Sequence, residues 1–270
     1  MPRIYAVSDI HGHPDTLRRS LLGAGLIDQD DTWIGGEDHL WVLGDLTDRG
    51  PDGIGVIDLV HHLTENSDGN VRALLGNHDA LALAVYHCTP GGEVPDDVPE
   101  QLAEASLRIA SAWLRNGGRE TDQEGLDEER VAWLESLPLV ARDGDFLLQH
   151  SDIDSLLEWG EDIEAINARC REMTTSEDPR VWFALWATLT KRRAFWDKGG
   201  ADRARTVLDT LGGEMIVHGH SIVADLTEMS YSSVKASLRY ADGLALAIDG
   251  GIYAGGPCLL PELTGILAAR

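Results

Sequence analysis

The 270-residue chain is 43% hydrophobic, enough apolar content to bury a substantial core and to exclude an intrinsically disordered protein. Acidic residues outnumber basic ones 46 to 22, and the formal net charge of −24 excludes non-specific attraction to nucleic acid or to an anionic membrane. Any positive field that attracts an anionic substrate must therefore be local.

Met1-Pro2-Arg3 leads straight into Ile4-Tyr5-Ala6-Val7, too short an apolar run for a signal peptide. No stretch approaches the roughly 18 apolar residues of a membrane span. A soluble cytoplasmic protein is expected. Cys88, Cys170 and Cys258 lie far apart with no Cys-x-x-Cys pair, so small buried thiols are expected rather than disulfides or a thiolate zinc site.

Ile4 to Val7 reads as a first buried strand, ending in Ser8-Asp9-Ile10-His11-Gly12-His13. A helix from Pro14 to about Ala24 follows, with Leu17, Leu21 and Leu22 on its apolar stripe. Leu40 to Leu43 is the second strand, and it runs into Gly44-Asp45-Leu46-Thr47-Asp48-Arg49-Gly50 before a helix marked by Ile54, Ile57, Leu59 and Val60. The third strand, Val71 to Leu75, ends in Gly76-Asn77-His78-Asp79 ahead of a helix from Ala80 to Tyr86. Successive strand–helix units imply a largely parallel sheet with right-handed crossovers, which puts these polar clusters on one edge.

From Thr89 to about Asp97 the composition turns to Gly, Pro and acid, the signal of a loop. Helices are expected from Pro99 to Leu114 and from Asp127 to Leu137, then a strand from Asp145 to Gln149 that stops at His150-Ser151-Asp152. A second helical block runs from about Leu156 to Leu211. Glu214 to Val217 is a short strand ending in His218-Gly219-His220, Leu244 to Ile248 ends in Asp249-Gly250-Gly251, and Cys258 to Leu260 is a candidate edge strand.

A single Asp or His after a strand is more often a turn former or a helix cap than a ligand. Here every expected strand but the last stops at oxygen and imidazole donors, and that joint occurrence points to a shared site. Carboxylate, amide and imidazole without thiolate suit Mn, Fe, Zn or Co. The donors suffice for two ions bridged by one carboxylate, with Asp45 the best bridge by its central place, and a water between such ions becomes a hydroxide that attacks phosphorus in line.

Asp9-Ile10-His11-Gly12, Gly44-Asp45-x-x-Asp48-Arg49-Gly50, Gly76-Asn77-His78-Asp79, His150 and Gly219-His220 together resemble the ordered motifs of the calcineurin-like metallophosphoesterases. The Asp48-Arg49-Gly50 ending is similar to the branch holding the serine/threonine protein phosphatases, the phage-type bacterial phosphatases and the symmetrical diadenosine tetraphosphatases. The resemblance implies an α/β fold of two packed mixed β-sheets flanked by helices, in a single domain over 1–270. Its helical insertions, about 97–140 and 155–212, would form a mainly helical cap.

The same resemblance implies that Asp9, His11 and Asp45 hold one divalent metal, and that Asp45, Asn77, His150 and His220 hold a second. Mn is the most plausible ion. His78 would be the general acid, Asp48 would orient it through its other ring nitrogen, and Arg49 would grip phosphate oxygens in a bidentate fork, with Asn77 and His78 also facing the substrate. The implied partner is a phosphorylated substrate, with no nucleic acid and no membrane. Hydrolysis of phosphate monoesters is the first expectation and a dinucleoside polyphosphate hydrolase the second; a catalytically inactive nucleotide- or protein-binding module is the competing class.

Some positions depart from the protein phosphatase pattern. Leu75 stands where Arg usually precedes the Gly-Asn-His motif, and Asp79 stands in place of Glu, as in the diadenosine tetraphosphatases. His150 is followed by Ser151-Asp152 instead of a small residue and Gly, which puts an extra carboxylate near the metals. His13 and His218 have no counterpart and are expected to pack behind the ligands. Lys191-Arg192-Arg193 could lean over the site or form a solvated face, and Trp182, Trp186 and Trp196 could stack an adenine or fill the core. His61-His62 reads as an exposed helix face, and Gly250-Gly251 with Tyr253 as the site floor.

Overall fold

The computed structural model describes residues 2–94 and 98–268, so the end of the acid-rich stretch at Asp97 lies outside the described residues. Its strands are β1 (Ile4–Val7), β2 (His39–Val42), β3 (Val71–Ala73), β4 (Val140–Asp143), β5 (Phe146–Gln149), β6 (Met215–His218), β7 (Leu238–Tyr240) and β8 (Ala245–Ala247). The helices are α1 (Pro14–Ala24), α2 (Gly53–Glu65), α3 (Asn77–Cys88), α4 (Glu100–Arg115), α5 (Glu120–Gly125), α6 (Glu128–Ser136), α7 (Ile163–Thr174), α8 (Pro179–Leu189), α9 (Gly200–Leu211), α10 (Val223–Thr227) and α11 (Leu263–Ala268).

The strands form a parallel three-stranded sheet, β1-β2-β3, and a five-stranded sheet in the order β4-β5-β6-β8-β7. In the second sheet β5, β6 and β8 run parallel, while β4 and β7 are antiparallel at its edges. Period-two alternation explains how the sheets pack. Ile4 and Ala6 of β1, Trp41 of β2, Phe146 and Leu148 of β5 and Met215 and Val217 of β6 form one buried cluster between the sheets. Tyr5, Val7, Leu40, Val42, Leu147 and Ile216 point the other way, into the core under the helices.

Local chemistry sets several element ends. The Asp52 carboxylate caps α2 by accepting from the Gly55 N–H, and Asp162 and Asp178 cap α7 and α8 in the same way. Helix α3 starts at Asn77, three residues before the expected Ala80, which seats Asn77 and His78 in its first turn. Helices α4 and α8 both pack against α3, so the two helical segments meet over the helix that carries the Asn77-His78 pair.

The structure corrects several expectations. Cys258 to Leu260 forms no strand; that segment passes beside β1, where the Ala6 N–H donates to the Pro261 carbonyl and Glu262 bridges Tyr5. The first helical segment ends at Ser136, and Val140 already lies in β4, an edge strand with no counterpart in the sequence reading. Edge strand β7 was also unexpected, since Leu238-Arg239-Tyr240 is half-buried and carries no apolar run. Cys88 and Cys170 are buried thiols, whereas Cys258 is half-buried.

Candidate metal centre

All of the parallel strands end at the same edge, and their C-terminal loops bring the polar motifs together. The Asp9 N–H donates to the Gly44 carbonyl at 3.1 Å, and the His11 N–H donates to the Asp45 carbonyl at 2.9 Å, which locks the first motif onto the second. Asp9, His11, Asp45, Asp48, Arg49 and His220 all have positive φ, between 45° and 67°. Left-handed backbone at non-glycine residues costs about 1–3 kcal/mol each and marks positions held by their surroundings for a purpose other than stability. Close approach explains the glycine before His220: a Cβ on Gly219 would fall 2.2 Å from Asp9 Oδ2.

The second and third motifs are joined by Asp79. Its carboxylate accepts from the N–H groups of Asp45 (2.8 Å), Leu46 (2.9 Å) and Gly76 (3.0 Å). In turn the His78 N–H donates to Asp45 Oδ1 at 2.8 Å. Asp79 thus fixes the loop that carries Asp45, a role the sequence reading did not assign to it.

The imidazoles are held by backbone carbonyls, and that fixes their tautomers. His11 Nδ1 donates to the Thr47 carbonyl at 2.9 Å, which leaves Nε2 a buried lone pair without a hydrogen-bond partner, 3.5 Å from Asp45 Oδ2 and 3.9 Å from Asp9 Oδ1. His150 Nδ1 donates to the Leu43 carbonyl at 2.7 Å, so Nε2 presents its lone pair 2.9 Å from Asn77 Oδ1 and 3.4 Å from Asp45 Oδ1. His220 Nε2 donates to the Thr190 carbonyl at 3.0 Å, leaving Nδ1 as its lone-pair nitrogen. Acceptors facing acceptors in a dry interior are repulsive unless a cation lies among them.

Asp9, Asp45, His150 and His220 each offer a ligand atom within 4.8 Å of the others, as do His11, Asp45 and His78. Asp45 belongs to both groups. His78 is no free ligand, because Asp48 occupies its Nδ1 and Arg49 its Nε2. The residues present therefore fit a pair of cations sharing Asp45. Asp249, fully buried beside them, accepts from the Gly251 N–H at 2.8 Å and joins neither group.

Burial sets the electrostatics. It drives the Asp45 and Asp249 carboxyls well above the usual carboxylate range, and the Asp9 charge adds to both shifts. Burial opposes ionisation of Asp9 too, but the neighbouring His150 and His11 outweigh it and hold Asp9 below its ordinary value. His11, His78 and His220 are all pushed well below the ordinary imidazole value, first by burial and then by neighbouring positive groups. These shifts favour the neutral form of each ring, the form that ligates a metal.

A second constellation adjoins the cluster. Asp48 Oδ2 lies 2.7 Å from His78 Nδ1, while Trp113 Nε1 donates to Asp48 Oδ1 at 2.8 Å. Burial lifts the Asp48 carboxyl to about 7, against the pull of the Trp113 hydrogen bond. Arg49 Nη2 donates to His78 Nε2 at 2.8 Å, and the guanidinium lies over the Tyr253 ring at 4.1 Å. Trp113 comes from α4 and Asp122, which accepts from the Asp48 N–H, from α5, so the first helical segment buttresses this constellation. Neither residue carried a sequence signal, because their partners lie 65 and 74 positions away.

The remaining candidates divide clearly. His218 is buried behind the ligands, with Nδ1 donating to the Gly219 carbonyl and Nε2 2.7 Å from the Tyr240 hydroxyl. His13 belongs to neither donor group and lines a surface recess with Arg18, Pro51 and Asp52. Trp182 is core, stacked on His87, and Trp196 is partly exposed against Tyr240. His61 is half-buried and stacked on Trp133, so only His62 is exposed. Among Lys191, Arg192 and Arg193, the Arg192 charge reaches both His78 and His220.

Residues 2–224 match the family model described as calcineurin-like phosphoesterase. The chain belongs to that family. A symmetrical bis(5'-nucleosyl)-tetraphosphatase of Aromatoleum aromaticum is 28% identical over 212 residues, 77% of this chain and 65% of that protein. One of the same name from Buchnera aphidicola subsp. Schizaphis graminum is 36% identical over 113 residues, 42% of this chain and 37% of that protein. The chain therefore spans less than two thirds of these curated relatives. Among solved structures, a cold-active protein-tyrosine phosphatase of a psychrophilic Shewanella species superposes with a TM-score of 0.66 at 21% identity, over 96% of this chain and 74% of that one. A protein serine/threonine phosphatase from Saccharomyces cerevisiae superposes with a TM-score of 0.51 at 14% identity, over 92% of this chain and 67% of that one. These likenesses bear on the fold, the two packed sheets flanked by helices.

Proposed function

We propose that the protein is a metal-dependent phosphoesterase that hydrolyses phosphate monoesters, on phosphoprotein or on small phosphorylated compounds. The observation that carries this reading is the meeting of a lone-pair-rich donor cluster with the Asp48–His78–Arg49 constellation across Asp45. Asp9, His11 and Asp45 would hold one divalent cation and Asp45, Asn77, His150 and His220 the other, with Mn the expected ion. Such cations supply Lewis-acid stabilisation of phosphoryl charge and activation of water.

The chain's own residues do the rest. Arg49 presents a planar fork suited to two phosphate oxygens, and Tyr253 braces it from behind. Turning that fork onto phosphate releases His78 Nε2, the nitrogen from which a proton can reach the leaving oxygen. Asp48 keeps the ring oriented through Nδ1, and a phosphate dianion nearby favours the imidazolium form that burial disfavours. Helices α4 to α9 form the cap in this reading, and the soluble, cytoplasmic setting expected from the sequence suits it. Among the described residues no helix is long and apolar enough to cross a membrane.

Mn-dependent release of p-nitrophenol from its phosphate tests the reading, with His78→Ala as the control. Failure with Mn, Fe, Zn and Co alike would favour a binding module. A second reading, hydrolysis of a dinucleoside polyphosphate, draws on the names of the relatives above and on Leu75 and Asp79. Turnover of diadenosine tetraphosphate against that of a phosphopeptide separates the two.

A further inference from the structure

The structure assigns to the Asn116-Gly117-Gly118 turn, which follows α4, a positioning role: it holds the Arg49 side chain from its backbone out to Nε and so aims the guanidinium at the phosphate site. The inference rests on the phosphoesterase reading and deepens it.

The turn is closed tightly onto the end of α4. The Asn116 N–H donates to the Ala112 carbonyl at 3.0 Å, Asn116 Nδ2 donates to the same carbonyl at 2.8 Å, and the Gly118 N–H donates to the Trp113 carbonyl at 2.9 Å. Position 118 has no room for a side chain, since a Cβ there would fall 2.2 Å from Trp113 Cδ2. The turn is therefore packed on the same tryptophan that donates to Asp48.

From that base it meets Arg49 at successive points. The Gly117 carbonyl accepts from the Arg49 N–H at 2.8 Å and so holds a residue whose φ is 64°. Gly117 itself has a φ of 93°, and a Cβ on it would fall 3.0 Å from Arg49 Cγ, so the bare Cα leaves the space in which the arginine stem runs. Farther out, Arg49 Nε donates to the Asn116 carbonyl at 3.5 Å. Beyond Nε other residues take over. Nη2 donates to His78 Nε2 at 2.8 Å, and the guanidinium lies 4.1 Å from the centre of the Tyr253 ring. The His78 and Tyr253 rings stand 4.8 Å and 5.2 Å from that of His11, which places the tip of Arg49 beside the metal donors. Asp122 also anchors this loop, through the N–H groups of Asp48 and Gly53, while the Arg49 stem is met by the turn. A grip on two phosphate oxygens needs the planar fork at one angle, and a stem already held in place loses less freedom on binding. Since the turn touches no reacting atom, it acts through Arg49.

The test compares wild type, Gly117→Ala, Arg49→Ala, the double variant Gly117→Ala/Arg49→Ala and Gly25→Ala, all Mn-loaded. Gly25 follows α1 with a φ of 71° and open space where a Cβ would stand, so its alanine variant carries backbone strain without a neighbour to displace. Affinity for inorganic phosphate is read by calorimetry, alongside Tm and kcat and KM on p-nitrophenyl phosphate. In Gly117→Ala phosphate affinity should weaken, and KM rise, about threefold to tenfold, with kcat falling less than KM rises and Mn content unchanged. Gly25→Ala should lower the Tm alone. In the Arg49→Ala background, where no Cγ remains, Gly117→Ala should alter KM less than about twofold while a Tm loss from backbone strain persists. Equal KM effects in the two backgrounds, or a lowered Tm with phosphate affinity and KM unchanged, would overturn the positioning role and leave the phosphoesterase reading intact. Wild-type protein that binds no phosphate and turns over no ester would sink both. Should Gly117→Ala fail to fold, Asn116→Ala, which removes the side-chain tie to the Ala112 carbonyl, decides by the same comparison of backgrounds.

Discussion

Asp48 and His78 are joined at 2.7 Å in a setting where both side chains are almost completely buried, and each of the remaining polar atoms of the pair has its own partner. Trp113 completes the carboxylate and Arg49 completes the ring. Replacing Asp48 by Asn removes the charge that favours the imidazolium and one acceptor of the pair. Asp48→Asn is expected to lower kcat on p-nitrophenyl phosphate about a hundredfold while leaving Mn content unchanged. Normal turnover would show that His78 needs no such partner.

Trp113→Phe probes the same pair from the helical side. It strips the indole donor from Asp48 Oδ1 while keeping an aromatic ring in place, and loss of a hydrogen bond to a buried carboxylate costs about 1–3 kcal/mol. Chemical denaturation should show a loss of stability in that range, together with a fall in kcat. An unchanged midpoint would mean that the indole N–H contributes nothing.

Metal removal should be felt most strongly at neutral pH. In the metal-free protein Asp45 and Asp249 keep their protons well above the usual carboxylate range, while the unfolded chain releases them near pH 4. The folded state then binds more protons, so their contribution to stability falls as pH rises from about 4 towards neutrality. Asp9, held below its ordinary value, contributes in the opposite sense, fully present above about pH 4. Divalent cations offset the repulsion among these carboxylates, so Mn should raise the Tm more at pH 7.5 than at pH 5. Equal melting with Mn and with chelator at pH 7.5 would contradict a metal centre built on Asp45.

Much of this architecture could be read from the sequence because short buried strands and the donors at their ends are local signals. Ile4–Val7, the Asp45 loop and the Gly76-Asn77-His78 turn each declare themselves within a few residues. What escaped depends on contacts distant in sequence. Edge strands β4 and β7 are defined by pairing, not by hydrophobic run, and Trp113 and Asp122 look like ordinary helix residues until α4 and α5 fold onto Asp48. Asp79 looked like a family marker. Its task, accepting N–H groups from Asp45, Leu46 and Gly76, is visible only once two loops are side by side.

Gly219→Ala offers a test of the convergence itself. The Gly219 N–H donates to the His150 carbonyl at 2.9 Å, and the next N–H, that of His220, donates to Asp9 Oδ2 at 2.8 Å. A methyl group at position 219 would stand 2.2 Å from that same oxygen and 2.3 Å from the Ser8 hydroxyl, neither of which can retreat within a buried loop. The Asp9 carboxylate must therefore turn away or the His220 loop must lift, and either displacement separates the Asp9, Asp45, His150 and His220 donors. Gly219→Ala is expected to fold with a lowered Tm and to lose at least half of the bound Mn and most activity, although no donor has been removed. Retention of full Mn content with normal turnover would mean that the Asp9 and His220 loops need not meet this closely for the metal centre to form.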